Sequence, residues 1–202
     1  MITAREALER LRQGNRRFVA NRGGASATRP IEVAAGQEPI AIILGCSDSR
    51  VPAEIVFDQG LGDLFVIRVA GNIVASSQVG SVEFAASRYG TRLVVVLGHS
   101  SCGAILATIE DLFRPGGSRS PNLRSIVDRV RPSVETLLAT ELRHDHDALV
   151  REAVRANIRA SADHLRHGSR ILEQLIQSDG LLVVGAEYSL GTGVVDFFEG
   201  LP

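Results

Sequence analysis

The stretch that decides the fold is Pro39-Ile-Ala-Ile-Ile-Leu-Gly-Cys-Ser-Asp-Ser-Arg50. Its apolar run, Ile40 to Leu44, has the length of a strand buried on both faces, as parallel sheets require. A thiol, a carboxylate and a guanidinium then follow in alternation with two serines, as Cys46, Asp48 and Arg50. Because open α/β sheets carry their chemistry at the carboxyl ends of strands, a charged or metallic group is expected there.

A second apolar run ends in a similar way. Leu93 to Leu97 is followed by Gly98-His-Ser-Ser-Cys-Gly103. If the two strands are neighbours in one parallel sheet, Cys46, His99 and Cys102 converge at one edge. Two thiolates and an imidazole are a zinc ligand set, and three protein ligands leave a fourth position open for water, as in catalytic sites. The pattern therefore predicts one catalytic Zn²⁺ per chain.

The order of apolar runs and helical patterns predicts an α/β fold with a mostly parallel central sheet flanked by helices. We expect about four parallel strands, at Ile40 to Leu44, Asp63 to Val69, Leu93 to Leu97 and Leu181 to Gly185. Val194 to Phe198 could add an antiparallel edge strand. Residues 121–177 lack strand signals and predict three or four helices, with breaks near Pro132, His144 and Gly168.

Length and composition fit a single domain spanning residues 1–202. The formal net charge of -1 gives no basic footprint for nucleic acid, and all 22 basic residues are arginine. No apolar run is long enough to span a membrane, and the N-terminus lacks a secretory signal, so a cytoplasmic location is expected. The two cysteines would stay reduced there, which favours metal binding over a disulfide.

The N-terminal residues predict a helix that stands apart from the rest. Thr3-Ala-Arg-Glu6 reads as a capping box that opens a helix from about Thr3 to Asn21. The following stretch, residues 22–30, is rich in small residues and indicates a linker. Residues 1–30 are therefore expected to form an arm helix and its linker.

Two motifs together resemble the β class of carbonic anhydrases. They are Cys46-Ser-Asp-Ser-Arg50 and, some fifty residues later, Gly98-His-x-x-Cys-Gly103, and the likeness runs from the Leu11–Phe18 helix to at least Ala104. The resemblance implies a zinc enzyme that reversibly hydrates carbon dioxide to bicarbonate and a proton by a zinc-bound hydroxide. It also implies a homodimer or a dimer of dimers, with the N-terminal helix packed on a partner subunit.

The resemblance also implies roles for individual residues. Asp48 and Arg50 form a gating dyad, in which gripped Asp48 orients the zinc-bound water and released Asp48 becomes a fourth zinc ligand in a closed state. Gln37 donates a hydrogen bond to substrate. The substrate pocket is formed by Phe65, Ala70, Phe84 and the backbone amide of Gly103, partly from the partner chain.

Three alternatives remain open from the sequence. The same fold and ligands can hydrolyse carbon disulfide or carbonyl sulfide. A zinc-binding protein without turnover would hold Asp48 permanently on the metal. A redox protein would cycle a disulfide between Cys46 and Cys102.

Overall fold

A five-stranded sheet organises the computed structural model, which describes residues 2–21, 36–114 and 120–202. The predicted linker at 22–30 lies outside these ranges. The elements in chain order are α1 (Ala4–Val19), β1 (Ala41–Gly45), α2 (Ala53–Val56), β2 (Leu64–Arg68), a 3-10 helix (Ala70–Asn72), α3 (Ser76–Arg88), β3 (Leu93–His99), α4 (Gly103–Phe113), α5 (Pro121–Leu138), a second 3-10 helix (Glu141–His144), α6 (His146–His167), α7 (Arg170–Ser178), β4 (Leu182–Tyr188) and β5 (Val195–Glu199).

The sheet has the strand order β2-β1-β3-β4-β5, and its first four strands are parallel. β5 pairs with β4 in the antiparallel direction, so the predicted edge strand is confirmed. β1 and β3 are neighbours, with Gly45 opposite Leu97. Both strands therefore end at the same edge of the sheet, which is the arrangement that the two motifs predict.

The sheet carries apolar side chains on both faces, because every residue of β1 and β3 is buried. Ile42 and Leu44 belong to one buried cluster, which also holds side chains of α3 to α7. Ala41 and Ile43 point to the other face, where they join buried residues of α1 and α2. Alternation along a strand thus divides the core into two layers.

Helix α1 begins with the predicted capping box, in which the Thr3 hydroxyl accepts from the Glu6 N–H and the Glu6 carboxylate accepts from the Thr3 N–H. The expectation that this helix stands apart from the core is wrong. Its apolar stripe is buried against the helix's own sheet, with Leu11 fully buried. Asn15 also donates to the Val56 carbonyl at 3.1 Å and to the Gly193 carbonyl at 2.9 Å. Packing of α1 on a partner subunit stays a prediction.

Helix α5 continues through Pro132, where a break was expected. The helix is held on both sides of the proline by the core, since Val130 and Val134 are fully buried. This packing offsets the cost of the hydrogen bond that proline removes. The breaks expected near His144 and Gly168 are present, at the second 3-10 helix and at the end of α6.

Helix α6 approaches the sheet closely because glycines lie beneath it. A Cβ atom at Gly98 of β3 would lie 2.6 Å from Ile158, and one at Gly185 of β4 would lie 2.7 Å from it. The Ile158 side chain is fully buried in this contact. None of the helices in the described ranges is both long and apolar enough to cross a membrane.

Candidate metal centre

Three side chains converge at the carboxyl edge of the sheet. Cys46 directly follows β1, His99 is the last residue of β3, and Cys102 is the N-cap residue of α4. Their ligand atoms all lie within 4.8 Å of one another, and all three residues are buried. This is the trio that the strand ends predict.

The geometry of the trio fits a zinc ion. The two sulfur atoms are 3.9 Å apart, and a tetrahedral site with Zn–S bonds of about 2.3 Å separates its sulfurs by about 3.8 Å. His99 Nδ1 lies 3.0 Å from the Ser100 carbonyl oxygen, to which its N–H donates. The buried Nε2 atom has no hydrogen-bond partner among the described residues and is left as a ligand.

The pKa values of the two thiols are shifted in opposite directions. The hydrogen bond with Cys102 lowers the pKa of Cys46, whereas the pKa of Cys102 is raised by that same bond, by burial and by the charge of Cys46. Burial alone would lower the pKa of His99, but the nearby Cys46 sulfur and its negative charge outweigh burial and raise the pKa. A buried thiolate beside an imidazole favours a cation at this point.

Asp48 and Arg50 form a bidentate ion pair next to the trio. Arg50 Nε lies 2.9 Å from Asp48 Oδ1, and Arg50 Nη2 lies 2.7 Å from Asp48 Oδ2. The Arg50 side chain, together with its backbone N–H, holds the pKa of the Asp48 carboxyl well below its usual range. Asp48 Oδ2 is also 3.9 Å from His99 Nε2, so the carboxylate lies beside the metal ligands.

Two groups that support this loop were missed from the sequence. Arg68 donates through Nε to the Cys46 carbonyl at 3.0 Å and through Nη2 to the Asp48 carbonyl. The Gly71 N–H lies 3.4 Å from Cys46 Sγ. The only sequence signal for the second contact was a glycine in the turn after β2, because only glycine readily adopts its φ of 71°.

The predicted pocket residues fall into two groups. Ala70 and Gly103 adjoin the trio, since Ala70 precedes Gly71 and Gly103 follows Cys102. The second group, Gln37, Phe65 and Phe84, does not adjoin the metal ligands in sequence. Phe65 is paired with Ile42, four residues before Cys46, and a rise of about 3.3 Å per residue puts it about 13 Å back along the sheet.

Phe65, Phe84 and Tyr89 form an aromatic cluster at the outer edge of the sheet. The ring centroids are 5.8 to 6.1 Å apart, and Phe84 is 52% exposed. Gln37 Nε2 donates to the Tyr89 hydroxyl at 2.9 Å. Within one chain, this group does not reach the metal ligands.

Comparisons with known proteins give a consistent result. The family profile described as "Carbonic anhydrase" matches residues 41–195. Carbonic anhydrase 2 of Mycobacterium tuberculosis is 42% identical over 193 residues, covering 93% of this chain and 89% of that protein. The carbonic anhydrase of Mycolicibacterium smegmatis is 38% identical, covering 94% of this chain and 91% of its own length.

Two solved structures share the fold. The β-carbonic anhydrase CafA of Aspergillus fumigatus superposes with a TM-score of 0.76 at 27% identity, covering 85% of this chain and 81% of that one. A β-carbonic anhydrase of Sordaria macrospora, described as tetrameric, has a TM-score of 0.75 at 23% identity, covering 96% and 97%.

Proposed function

Since this chain belongs to the β-carbonic anhydrase family of enzymes, we propose that it interconverts carbon dioxide and bicarbonate at a zinc site formed by Cys46, His99 and Cys102. The observation that carries the proposal is the spacing of these ligand atoms, all within 4.8 Å and buried. The relatives are named carbonic anhydrases, and so they do not favour the alternative of carbon disulfide or carbonyl sulfide hydrolysis.

The three ligands would hold zinc with one tetrahedral corner left over. When bound, zinc acts as a Lewis acid that lowers the pKa of water toward neutrality. Two thiolate ligands already neutralise the charge of the ion, so neighbouring groups must assist the ionisation.

Asp48 is the group placed to give that assistance. Its bidentate bond to Arg50 keeps the carboxylate charged and turned toward the edge where His99 Nε2 lies. The carboxylate accepts a hydrogen bond from the attacking water and orients a lone pair toward carbon dioxide. Arg50 would therefore act through Asp48. Without the hydrogen bonds from Arg50, the carboxylate of Asp48 would be free to become a fourth metal ligand and close the site.

The substrate pocket needs a second copy of the chain in this proposal. The Gly103 amide, at the start of α4, supplies a donor near the metal, and Ala70 supplies part of an apolar wall. Of the remaining pocket residues, Phe65 lies about 13 Å back along the sheet. Phe84 and Gln37 belong to the same group at the outer edge. We infer that these residues serve the site of a partner.

A twofold axis beside β2 would bring these parts together. β2 is an edge strand. If the β2 strands of two copies lie side by side in antiparallel directions, the carboxyl edge of one sheet lies beside the amino edge of the other. The aromatic cluster of one copy would then face the metal ligands of the other. We therefore propose a homodimer or a dimer of dimers, which is consistent with the tetrameric description of the Sordaria relative. The proposed location is the cytoplasm, where both thiols stay reduced.

The test combines metal analysis with stopped-flow hydration of carbon dioxide on the same purified sample. We expect about one zinc per chain and hydration activity that rises between pH 7 and 9. Stoichiometric zinc with no activity across this range would support the rival reading, a zinc protein without turnover. Two titratable thiols that form a disulfide, with no zinc, would support the redox reading.

A further inference from the structure

The sulfur of Cys46 has a backbone donor in addition to its thiol and imidazole neighbours. The Gly71 N–H lies 3.4 Å from Cys46 Sγ, and both groups are buried. N–H donors directed at a metal-binding thiolate stabilise its charge and orient it. The position of this peptide group therefore bears on how well Cys46 binds a metal.

Gly71 sits in a turn that needs outside support. Its backbone has φ 71° and ψ 17°, and the next residue, Asn72, has a φ of 43°. Both values lie in the left-handed region, which glycine adopts readily and asparagine tolerates better than most other residues. The 3-10 helix that contains them has no side-chain hydrogen bond at its N-cap, Val69.

Helix α6 supplies the support from 86 residues further along the chain. Asn157 Nδ2 donates to the Gly71 carbonyl at 2.8 Å, and Ser161 Oγ donates to the Asn72 carbonyl at 3.1 Å. The Asn72 N–H donates to the Val69 carbonyl at 3.0 Å. The peptide group between Gly71 and Asn72 is thus held at its oxygen and at its N–H. It is joined through the Gly71 Cα atom to the peptide group whose N–H faces Cys46.

The helix that carries these donors is itself fixed. Ile158, next to Asn157, is fully buried against the strand glycines Gly98 and Gly185. Asn157 is only 2% exposed. The carboxamide of Asn157 is therefore held in place by its surroundings. Its hydrogen bond restrains the position of the Gly71 carbonyl.

We propose that Asn157 is a positioning residue of the metal centre, which holds the Gly71 carbonyl and thereby keeps the Gly71 N–H on the sulfur of Cys46. The inference rests on the proposed zinc site. Loss of an outer partner of a ligand typically weakens metal affinity about 10- to 100-fold. The effect of Asn157 should lie near the lower end, because it acts through one intervening residue.

The competing interpretation is that Asn157 is an ordinary buried amide that satisfies a backbone carbonyl. The chain offers a matched control for that interpretation in Asn15, which is 5% exposed. It donates to the Val56 and Gly193 carbonyls and accepts from the Val195 N–H, and none of these residues is a proposed metal ligand. Leucine has nearly the shape of asparagine and no hydrogen-bonding groups. Asn157→Leu and Asn15→Leu therefore each remove buried hydrogen bonds to the backbone, one for Asn157 and three for Asn15. Only the first variant should act on the metal centre.

The experiment titrates zinc-loaded wild-type, Asn157→Leu and Asn15→Leu proteins with a competing chelator and also records urea unfolding. We expect both variants to lose stability. Zinc affinity should fall about tenfold in Asn157→Leu and stay within about twofold of wild type in Asn15→Leu. The thiolate-to-metal charge-transfer band of the cobalt-substituted proteins should shift only in Asn157→Leu.

Equal zinc affinities and cobalt spectra in wild type and Asn157→Leu would overturn the positioning role. If Asn157→Leu does not fold, Ser161→Ala provides the second variant, since it removes the adjacent bond to the same turn. A drop in zinc affinity of about threefold or more in Ser161→Ala would support the proposal, and an unchanged affinity would overturn it. A wild-type protein that binds no zinc would overturn the proposed function itself.

Discussion

Arg50 holds both carboxylate oxygens of Asp48, although only one residue separates the two in sequence. The bond lengths of 2.9 and 2.7 Å, together with the 3.0 Å bond from the Arg50 N–H to Asp48 Oδ1, leave the carboxylate little freedom. The alternation of side chains in Cys46-Ser-Asp-Ser-Arg50 makes this grip possible next to a metal ligand. The pair is therefore the most direct target for mutation.

Arg50→Ala should leave zinc bound and reduce carbon dioxide hydration by roughly 10- to 100-fold, because Asp48 loses its orientation and can move onto the metal. Metal analysis and stopped-flow hydration measure the two quantities. Arg131→Ala is the control, since Arg131 of α5 also pairs with a carboxylate, that of Asp111 on α4, at 2.9 Å. Full activity in Arg50→Ala would remove the dyad from the mechanism.

The same ion pair should make a pH-dependent contribution to stability. The pKa of Asp48 in the folded chain is below its ordinary value of about 3.9. The contribution is therefore complete above that value and is lost as the pH falls toward the lowered pKa. We expect the difference in unfolding free energy between metal-free wild type and metal-free Arg50→Ala to be flat from about pH 7 to 5 and to shrink below about pH 4. Urea titrations measure it, and a difference that grows on acidification would contradict the assignment.

Cys102→Ala should abolish zinc binding, because the two remaining ligands cannot hold the ion in a tetrahedral site. Metal content of the purified protein is the measurement. Thr108→Ala on the same helix is a suitable control, since Thr108 is buried and its hydroxyl donates to the Ala104 carbonyl of that helix. Undiminished zinc in Cys102→Ala would refute the ligand set.

Gly71→Ala should destabilise the chain by about 1–2 kcal/mol, because alanine is strained at positive φ and its Cβ would lie 3.0 Å from that of Ala104. Zinc affinity should fall with it. Gly80→Ala is the opposite case: a Cβ there meets nothing within 4 Å inside α3, so stability should rise by about 0.5–1 kcal/mol. Thermal unfolding and chelator titration test both, and a neutral Gly71→Ala would argue against the strained turn.

Phe84→Arg should yield a smaller assembly and lose activity, because it places a charge in the aromatic cluster that is proposed to face the partner's metal site. Sedimentation and hydration assays would be run on the same samples. Phe113→Arg is the matched control, being 50% exposed at the end of α4. An active Phe84→Arg monomer would show that one chain is sufficient.

The metal ligands were predictable because their positions depend on two simple regularities. Cys46 and His99 each follow a strongly apolar strand, and parallel neighbours end at the same edge. The place of Gln37 could also have been inferred from the sequence: it precedes β1, whereas Cys46 follows it, so the strand itself separates them.

Other features depend on packing that leaves no local trace. Pro132 taken alone predicts a helix break, yet α5 continues past it because the residues on either side are packed in the core. Asn157 belongs to an ordinary amphipathic helix, and its bond to Gly71 exists only because α6 lies close against the strand glycines. Contacts between residues so far apart in sequence depend on how the helices pack on the sheet. The periodicity of apolar residues along one helix does not reveal them.

β3 lies at the centre of the sheet, buried along its whole length and hydrogen-bonded on both sides. Amides in such a strand exchange with deuterated solvent only when the entire chain unfolds, whereas edge strands and loops open at lower cost. The strand that carries His99 is therefore among the last parts of the molecule to unfold on heating. Loss of activity below the melting temperature should begin with local unfolding at the outer edges of the sheet.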